Sequence, residues 1–192
     1  MFIVIEGDNG SGKTTLGKFF ENCGFYNVTE DKLMKKLEFN AKKLPIKTEE
    51  RIESFLAYNF KCGKKSEEFQ NALLIRYWIS TLAAAYSDEI LSKQEVLDRL
   101  GKITKTFRMP DLFFYLECDY DERILRIKQR NLLGENVCDD ITKYRDIRYQ
   151  EIVISIEEKL INFIRIPVTN VSVEKTLETI KYHINLLTFE KK

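Results

Sequence analysis

Five short runs of consecutive apolar residues punctuate the chain, at positions 2–6, 26–29, 72–76, 111–118 and 164–169. Runs that stay apolar on successive positions, instead of alternating, suit parallel strands covered on both faces. Between them the apolar positions change to helical spacing. Leu16, Phe19, Phe20 and Cys23 mark one helix face, and Gly24 is its expected stop. Positions 51–60 read as a helix with Ile52, Phe55 and Leu56 inward, and 80–86 is rich in helix formers. Positions 121–130 repeat the pattern through Ile124 and Ile127. A long amphipathic stretch runs over 147–161, and Leu177, Ile180, Ile184 and Leu187 recur near the end. Strands alternating with helices predict βαβ units and a three-layer α/β fold. With no repeat, no low-complexity segment and no Pro/Gly-rich linker, residues 1–192 are expected to form one domain.

Charge narrows the partners. The chain carries 31 Lys plus Arg against 30 Asp plus Glu, so its net charge is +1. Nonspecific nucleic-acid binding needs many unbalanced cations, and none is expected here. Cys23, Cys62, Cys118 and Cys138 form no CxxC pair, and His183 is the single histidine, which argues against a zinc site. The first apolar run is too short for a signal-peptide core or a membrane span. The expectation is a cytoplasmic protein with reduced thiols and no membrane partner.

The sharpest signal is G-D-N-G-S-G-K-T from Gly7 to Thr14, a G-x-x-x-x-G-K-[ST] phosphate loop lying between a predicted strand and a predicted helix. Glycines let the backbone curl so that several N–H groups face one anion, and the helix that follows aims its positive end there. Asn9, Gly10, Ser11, Gly12, Lys13, Thr14 and Thr15 are therefore expected to hold the phosphates of ATP. Lys13 reaches the β- and γ-phosphates, and the Thr14 hydroxyl ligates Mg²⁺. With glycine at about 7% of residues, such a match arises by chance in well under about 1% of chains this long. The guanine-reading N-K-x-D of a GTPase is absent. D-R-L-G at Asp98–Gly101 lies in a predicted helical region, and Asp119 is only a rough match to the strand-end acid of a motor ATPase.

Other segments carry a resemblance. P-D-L-F-F-Y-L-E-C-D ending at Asp119, with D-E-R-I-L-R-I-K-Q-R from Asp121 to Arg130, resembles the strand, helix and start of the lid in thymidylate kinases. E-G-D-N-G-S-G-K-T-T from Glu6 to Thr15 is similar to their phosphate loop. R-Y-W-I-S-T-L-A from Arg76 to Ala83 is similar to their D-R-Y-x-x-S-x-x-A, and Phe55-Leu-Ala57 resembles their base-stacking segment. The resemblance implies a P-loop nucleotide kinase with a five-stranded parallel sheet. It would transfer phosphate from Mg-ATP to a nucleoside monophosphate, with a lid at about 130–145. Kinases of this kind often pair through helices, which leaves a homodimer open.

Each candidate also has a plainer role. Arg76 ends an apolar strand where α/β sheets bind ligands, so it either clamps the acceptor phosphate or forms an ordinary ion pair. Tyr77 and Trp78, directly after it, either line the acceptor pocket or pack the core. Arg130 is the expected lid arginine, with Arg126 one turn earlier as second candidate. Phe55 either stacks on the acceptor base or packs the core. Glu30 follows the second strand, near where related deoxynucleoside kinases keep a base for a sugar hydroxyl; the alternative is a surface acid. Lys143, Arg145 and Arg148 are expected on a solvated face, and His183 at the surface. The family's pattern departs at three positions: its acid before the arginine falls on Ile75, its base-reading arginine on Asn59, and its P-loop acid on Asn9. A nucleoside kinase, or a nucleotide-binding regulator with little turnover, are the competing readings.

Overall fold

The protein is described by a computed structural model covering residues 1–132 and 142–190. Its strands are β1 (Phe2–Gly7), β2 (Tyr26–Asn27), β3 (Ala72–Ile75), β4 (Leu112–Glu117) and β5 (Phe163–Pro167). All pair in parallel, in the order β2-β3-β1-β4-β5. The helices are α1 (Lys13–Asn22), α2 (Lys32–Lys43), α3 (Glu49–Ser66), α4 (Trp78–Ser87), α5 (Lys93–Thr106), α6 (Tyr120–Leu132), α7 (Lys143–Glu157) and α8 (Val173–Glu190). This is the predicted α/β P-loop architecture, a five-stranded parallel sheet flanked by helices.

The continuous apolar runs serve two faces at once, because successive strand residues point to opposite sides. Phe2, Val4, Leu74, Phe113 and Tyr115 join a core with α3, α4, α5 and α7. Ile3, Ile5, Leu73, Phe114 and Leu116 join a second core with α1 and α8. β1 is the central strand, so the loop that leaves its C-terminal end opens at the middle of the sheet.

Three elements differ from expectation. Only Tyr26–Asn27 pairs in the sheet; Val28–Glu30 turns into a 3₁₀ helix capped by Asn27, whose side chain accepts from Thr29 N–H at 3.1 Å. α7 occupies Lys143–Glu157, because Thr142 caps it, accepting from the Arg145 amide at 3.2 Å. α2 was not predicted, although Met34, Leu37 and Ala41 recur at helical spacing: Met34 and Ala41 are buried and Leu37 packs against the core, while Leu33 and Phe39 stay exposed. Its start was legible in Asp31, whose carboxylate accepts from the Leu33 and Met34 amides. The lid expected at about 130–145 falls largely on 133–141, outside the described residues, as does Cys138.

α1 ends where Gly24 was expected to stop it. Gly24 has φ 86°, its amide bonds Glu21 O, and the Phe25 amide bonds Phe20 O. Phe20 and Phe25 close the motif edge to face, 5.2 Å between centroids. Gly101 is different: it lies in the exposed middle of α5, and an added methyl meets nothing within 4 Å. Two glycine-to-alanine changes should therefore have opposite signs. Gly24→Ala is expected to destabilise by about 1 kcal/mol, through left-handed strain, and Gly101→Ala to stabilise by about 0.5–1 kcal/mol. Denaturant melts of the two variants check both.

Candidate functional site

The site is built around the end of β1. Glu6, its last acidic residue, is fully buried. Its carboxylate accepts from the Tyr77 amide at 2.8 Å, the Ser80 amide at 3.4 Å and the Ser80 hydroxyl. α4 has no capping side chain of its own at Tyr77, so Glu6 caps it from the neighbouring strand. Burial pushes the Glu6 carboxyl up, while the bonds from Ser80 and Tyr77 pull it back.

That cap fixes Arg76. Its backbone sits at φ 66°, a left-handed strain of order 1–2 kcal/mol for a non-glycine residue. Its amide continues the sheet to Ile5 O at 3.0 Å. Its guanidinium donates to Asn9 Oδ1 in the phosphate loop and to Ser80 Oγ at 3.4 Å. The strand-end arginine and the loop are thus in direct contact.

Within the loop, Lys13 is buried and its ammonium donates to the Asp8 carbonyl and to Ser11 Oγ at 3.3 Å. Burial, then the nearby Arg76 charge, hold its pKa well below the usual lysine value. Ser11 is buried, whereas Gly12, Thr14 and Thr15 are exposed at the mouth of the loop. The open Thr14 hydroxyl fits an ion carried in with a polyphosphate. No group of three or more His, Cys, Asp or Glu able to hold a metal occurs among the described residues, and Ile75 supplies no carboxylate. The donor set therefore suits Mg²⁺ that keeps most of its waters and its phosphate ligands.

Beside the loop lies a cavity of about 330 Å³. Gly12 and Thr15 form one edge, and Val168, Val171 and Leu177 the apolar wall. Arg126 closes it, donating to Gly10 O at 3.4 Å and Val168 O at 3.0 Å. Arg130 lies in the last turn of α6, which ends at Leu132.

Other candidates take different places. Tyr77 is fully buried; its ring packs edge to face on Phe2, and its hydroxyl donates to Arg108 O at 3.3 Å. Of the two places open to it, the acceptor pocket and the core, it takes the core, as does Trp78. Glu30 is exposed and pairs with Lys35. Phe55 packs at the edge of the core, under the Arg51 guanidinium at 5.6 Å. Asn59 is buried and donates to Thr81 Oγ1 at 2.8 Å. Arg145 pairs with Asp88, and Arg148 bonds Tyr86 O at 2.9 Å and lies over the Tyr86 ring. Those two arginines tie α7 to α4 and are not a solvated face. His183 is half-buried against Phe114.

Several site residues were missed. Arg123 and Gln150 reach the loop through Asp8, and Asp146 pairs with Arg123. Tyr149 is buried beside them. Arg123 stands one turn before Arg126, the only signal it gave; Asp146 and Gln150 gave none, since α7 contacts the loop only in three dimensions.

No family model matches the chain. Among curated proteins, the thymidylate kinase of Leptospira interrogans is 31% identical over 145 residues, covering 68% of this chain and 70% of that protein. The probable thymidylate kinase of Picrophilus torridus is 25% identical over 198 aligned positions, covering 94% and 92%. Among solved structures, the thymidylate kinase from Candida albicans aligns with TM-score 0.63 at 16% identity, covering 95% of this chain and 92% of that one. The deoxyadenosine kinase from M. mycoides with bound dATP aligns with TM-score 0.63 at 18% identity, covering 96% and 100%.

The electrostatics of the loop yield a pH dependence. Lys13 is shifted down, and Glu6 and Asp8 up, chiefly by burial. An arriving triphosphate favours the protonated form of all three. Binding is therefore expected to take up protons, and affinity to fall as pH rises above the depressed Lys13 value. Calorimetric titration with Mg-ATP in buffers of different ionisation enthalpy measures the uptake; net proton release would contradict this account.

Proposed function

Because the chain belongs to the thymidylate kinase family, and is a nucleotide kinase, we propose that it transfers the γ-phosphoryl group of Mg-ATP to a nucleoside monophosphate. The contact between Arg76 and Asn9 carries the reading. It places a cation at the seam between the phosphate loop and the end of β3, where an acceptor phosphate would meet the donor. A monophosphate brings its own anionic oxygen, so no general base is required. Glu30 supports the same side, because it is exposed and paired with Lys35.

In this reading the donor triphosphate lies along Gly10–Thr15, with Lys13 turning from the Asp8 carbonyl to the phosphates. The donor's base and sugar enter the cavity between Thr15 and Val171, and Arg126 lines it. Thr14 would hold Mg²⁺, which when bound offsets charge on the β- and γ-oxygens. Arg76 clamps the acceptor phosphate, and Phe55 on α3 borders the acceptor base. Arg130, at the start of the expected lid, reaches the moving group. Rate then comes from alignment and charge neutralisation, with an arginine at the transferred phosphate worth roughly 10³-fold or more.

A phosphotransfer screen tests the proposal, with Mg-ATP against each common nucleoside and nucleoside monophosphate. Diphosphate product from one monophosphate is expected. Lys13→Ala should abolish it, and Arg76→Gln should lower kcat/KM by about 10²-fold or more. Val171→Trp, which fills the cavity, should raise the KM for Mg-ATP about tenfold and leave that for the acceptor unchanged. Product from a nucleoside, lost in Glu30→Gln, would make it a nucleoside kinase. Mg-ATP binding without product from any acceptor would make it a nucleotide-binding regulator.

A further inference from the structure

The phosphate loop is shaped from outside as well as by its own glycines. Arg123, on the first turn of α6, is only 1% exposed. Its guanidinium pairs with Asp146 of α7 and lies 3.6 Å from the Asp8 carboxylate, and its Nε donates to Cys118 O at 3.1 Å. Gln150, one turn on from Asp146, donates to the same Asp8 carboxylate at 2.7 Å and accepts from the Tyr115 hydroxyl at 3.2 Å. The backbone of Arg123 also abuts the loop: a methyl added to Gly10 would come within 2.8 Å of Arg123 O. Two helices, α6 and α7, thus converge on one loop residue.

Packing alone does not call for this arrangement. A buried ion cluster is costly to desolvate, and apolar side chains of similar volume often serve stability as well or better. What Arg123 and Gln150 do that apolar groups could not is hold a carboxylate. Asp8 is a loop residue whose own carbonyl receives the Lys13 ammonium. Released, its carboxylate could swing toward Lys13, neutralise it and repel an incoming phosphate. Held, it leaves the loop interior to backbone N–H groups and Lys13.

We propose that Arg123, seconded by Gln150, is a positioning residue that keeps the Asp8 carboxylate out of the anion site, so that the loop is preset for the donor triphosphate. The role rests on the reading of the loop as the donor site. Arg123 itself touches no phosphate; it acts through Asp8.

The test is a set of Mg-ATP titrations without acceptor, with melting temperatures and separate donor and acceptor KM values alongside. Arg123→Lys keeps the charge but lacks the fork needed to serve Asp8, Asp146 and Cys118 together. It is expected to weaken Mg-ATP binding about tenfold and leave the acceptor KM within about twofold. Adding Asp8→Asn removes the charge that Arg123 restrains, so the double variant should bind Mg-ATP more tightly than Arg123→Lys alone. A purely structural role predicts the reverse, since a second change to the cluster would only add damage. Unchanged affinity in Arg123→Lys, or a double variant weaker than the single, overturns the proposal. If Arg123→Lys does not fold, Gln150→Met decides on the same terms: weakened binding rescued by Asp8→Asn supports the role, and unchanged binding refutes it. Failure of the unaltered protein to bind Mg-ATP would sink the donor reading itself and this role with it.

Discussion

A carboxylate buried at the end of the central strand sets the geometry of everything around it. An unpaired ion there would cost several kcal/mol, so Glu6 survives only with its donors in place. Those donors are the first amides of α4 and the Ser80 hydroxyl. Satisfying Glu6 therefore locks the start of α4 against β1. Because Arg76 lies between the end of β3 and that helix, its backbone is forced into the left-handed region, and its side chain is delivered to the phosphate loop. Strain at Arg76 is maintained by burial at Glu6.

The surrounding charges follow the same logic. Glu6, Asp8 and Asp146 face Lys13, Arg76 and Arg123, three of each sign, so the largely buried charges offset one another. The two halves are wired differently. Arg123 is held by charges of opposite sign on two other elements, whereas Arg76 and Lys13 rest chiefly on neutral oxygens. An anion entering the loop would find two cations whose partners are easily exchanged and one whose partners are not. Scaffold and recognition are thus divided among residues that share one charge cluster.

How much of this the sequence reveals depends on the range of the interaction. The phosphate loop is local, so Gly7 to Thr14 could be recognised from spacing alone. The strands were legible because burial on both faces leaves an unbroken apolar run, and Gly24 because a left-handed stop is a one-residue signal. α2 was missed although Met34, Leu37 and Ala41 keep helical spacing, because exposed Leu33 and Phe39 blur that face. Arg123, Asp146 and Gln150 were illegible for another reason: polar residues on helices look solvated until the fold brings α6 and α7 onto Asp8. Tyr77 shows the converse. It stands beside a site residue in sequence, yet α4 turns its ring into the core.

Ile75 stands where the resemblance expects an acid, and the structure supplies a reason why its absence need not disorder the site. Ile75 is spent on packing: a methyl on Gly17 of α1 would come within 2.4 Å of its Cδ1, so this side chain sets how closely α1 approaches β3. The orienting duty falls to neutral groups, Asn9 Oδ1 and Ser80 Oγ. A carboxylate partner would hold the guanidinium more firmly but offset its charge, and an incoming phosphate would have to compete with it. Neutral partners orient Arg76 and leave its full charge available. The same reasoning covers Asn9, which as an acid would place a negative charge beside any phosphate the loop receives. In the proposed reading, the exchanges at positions 9 and 75 act in one direction: each removes an anion that would compete with an acceptor phosphate for Arg76.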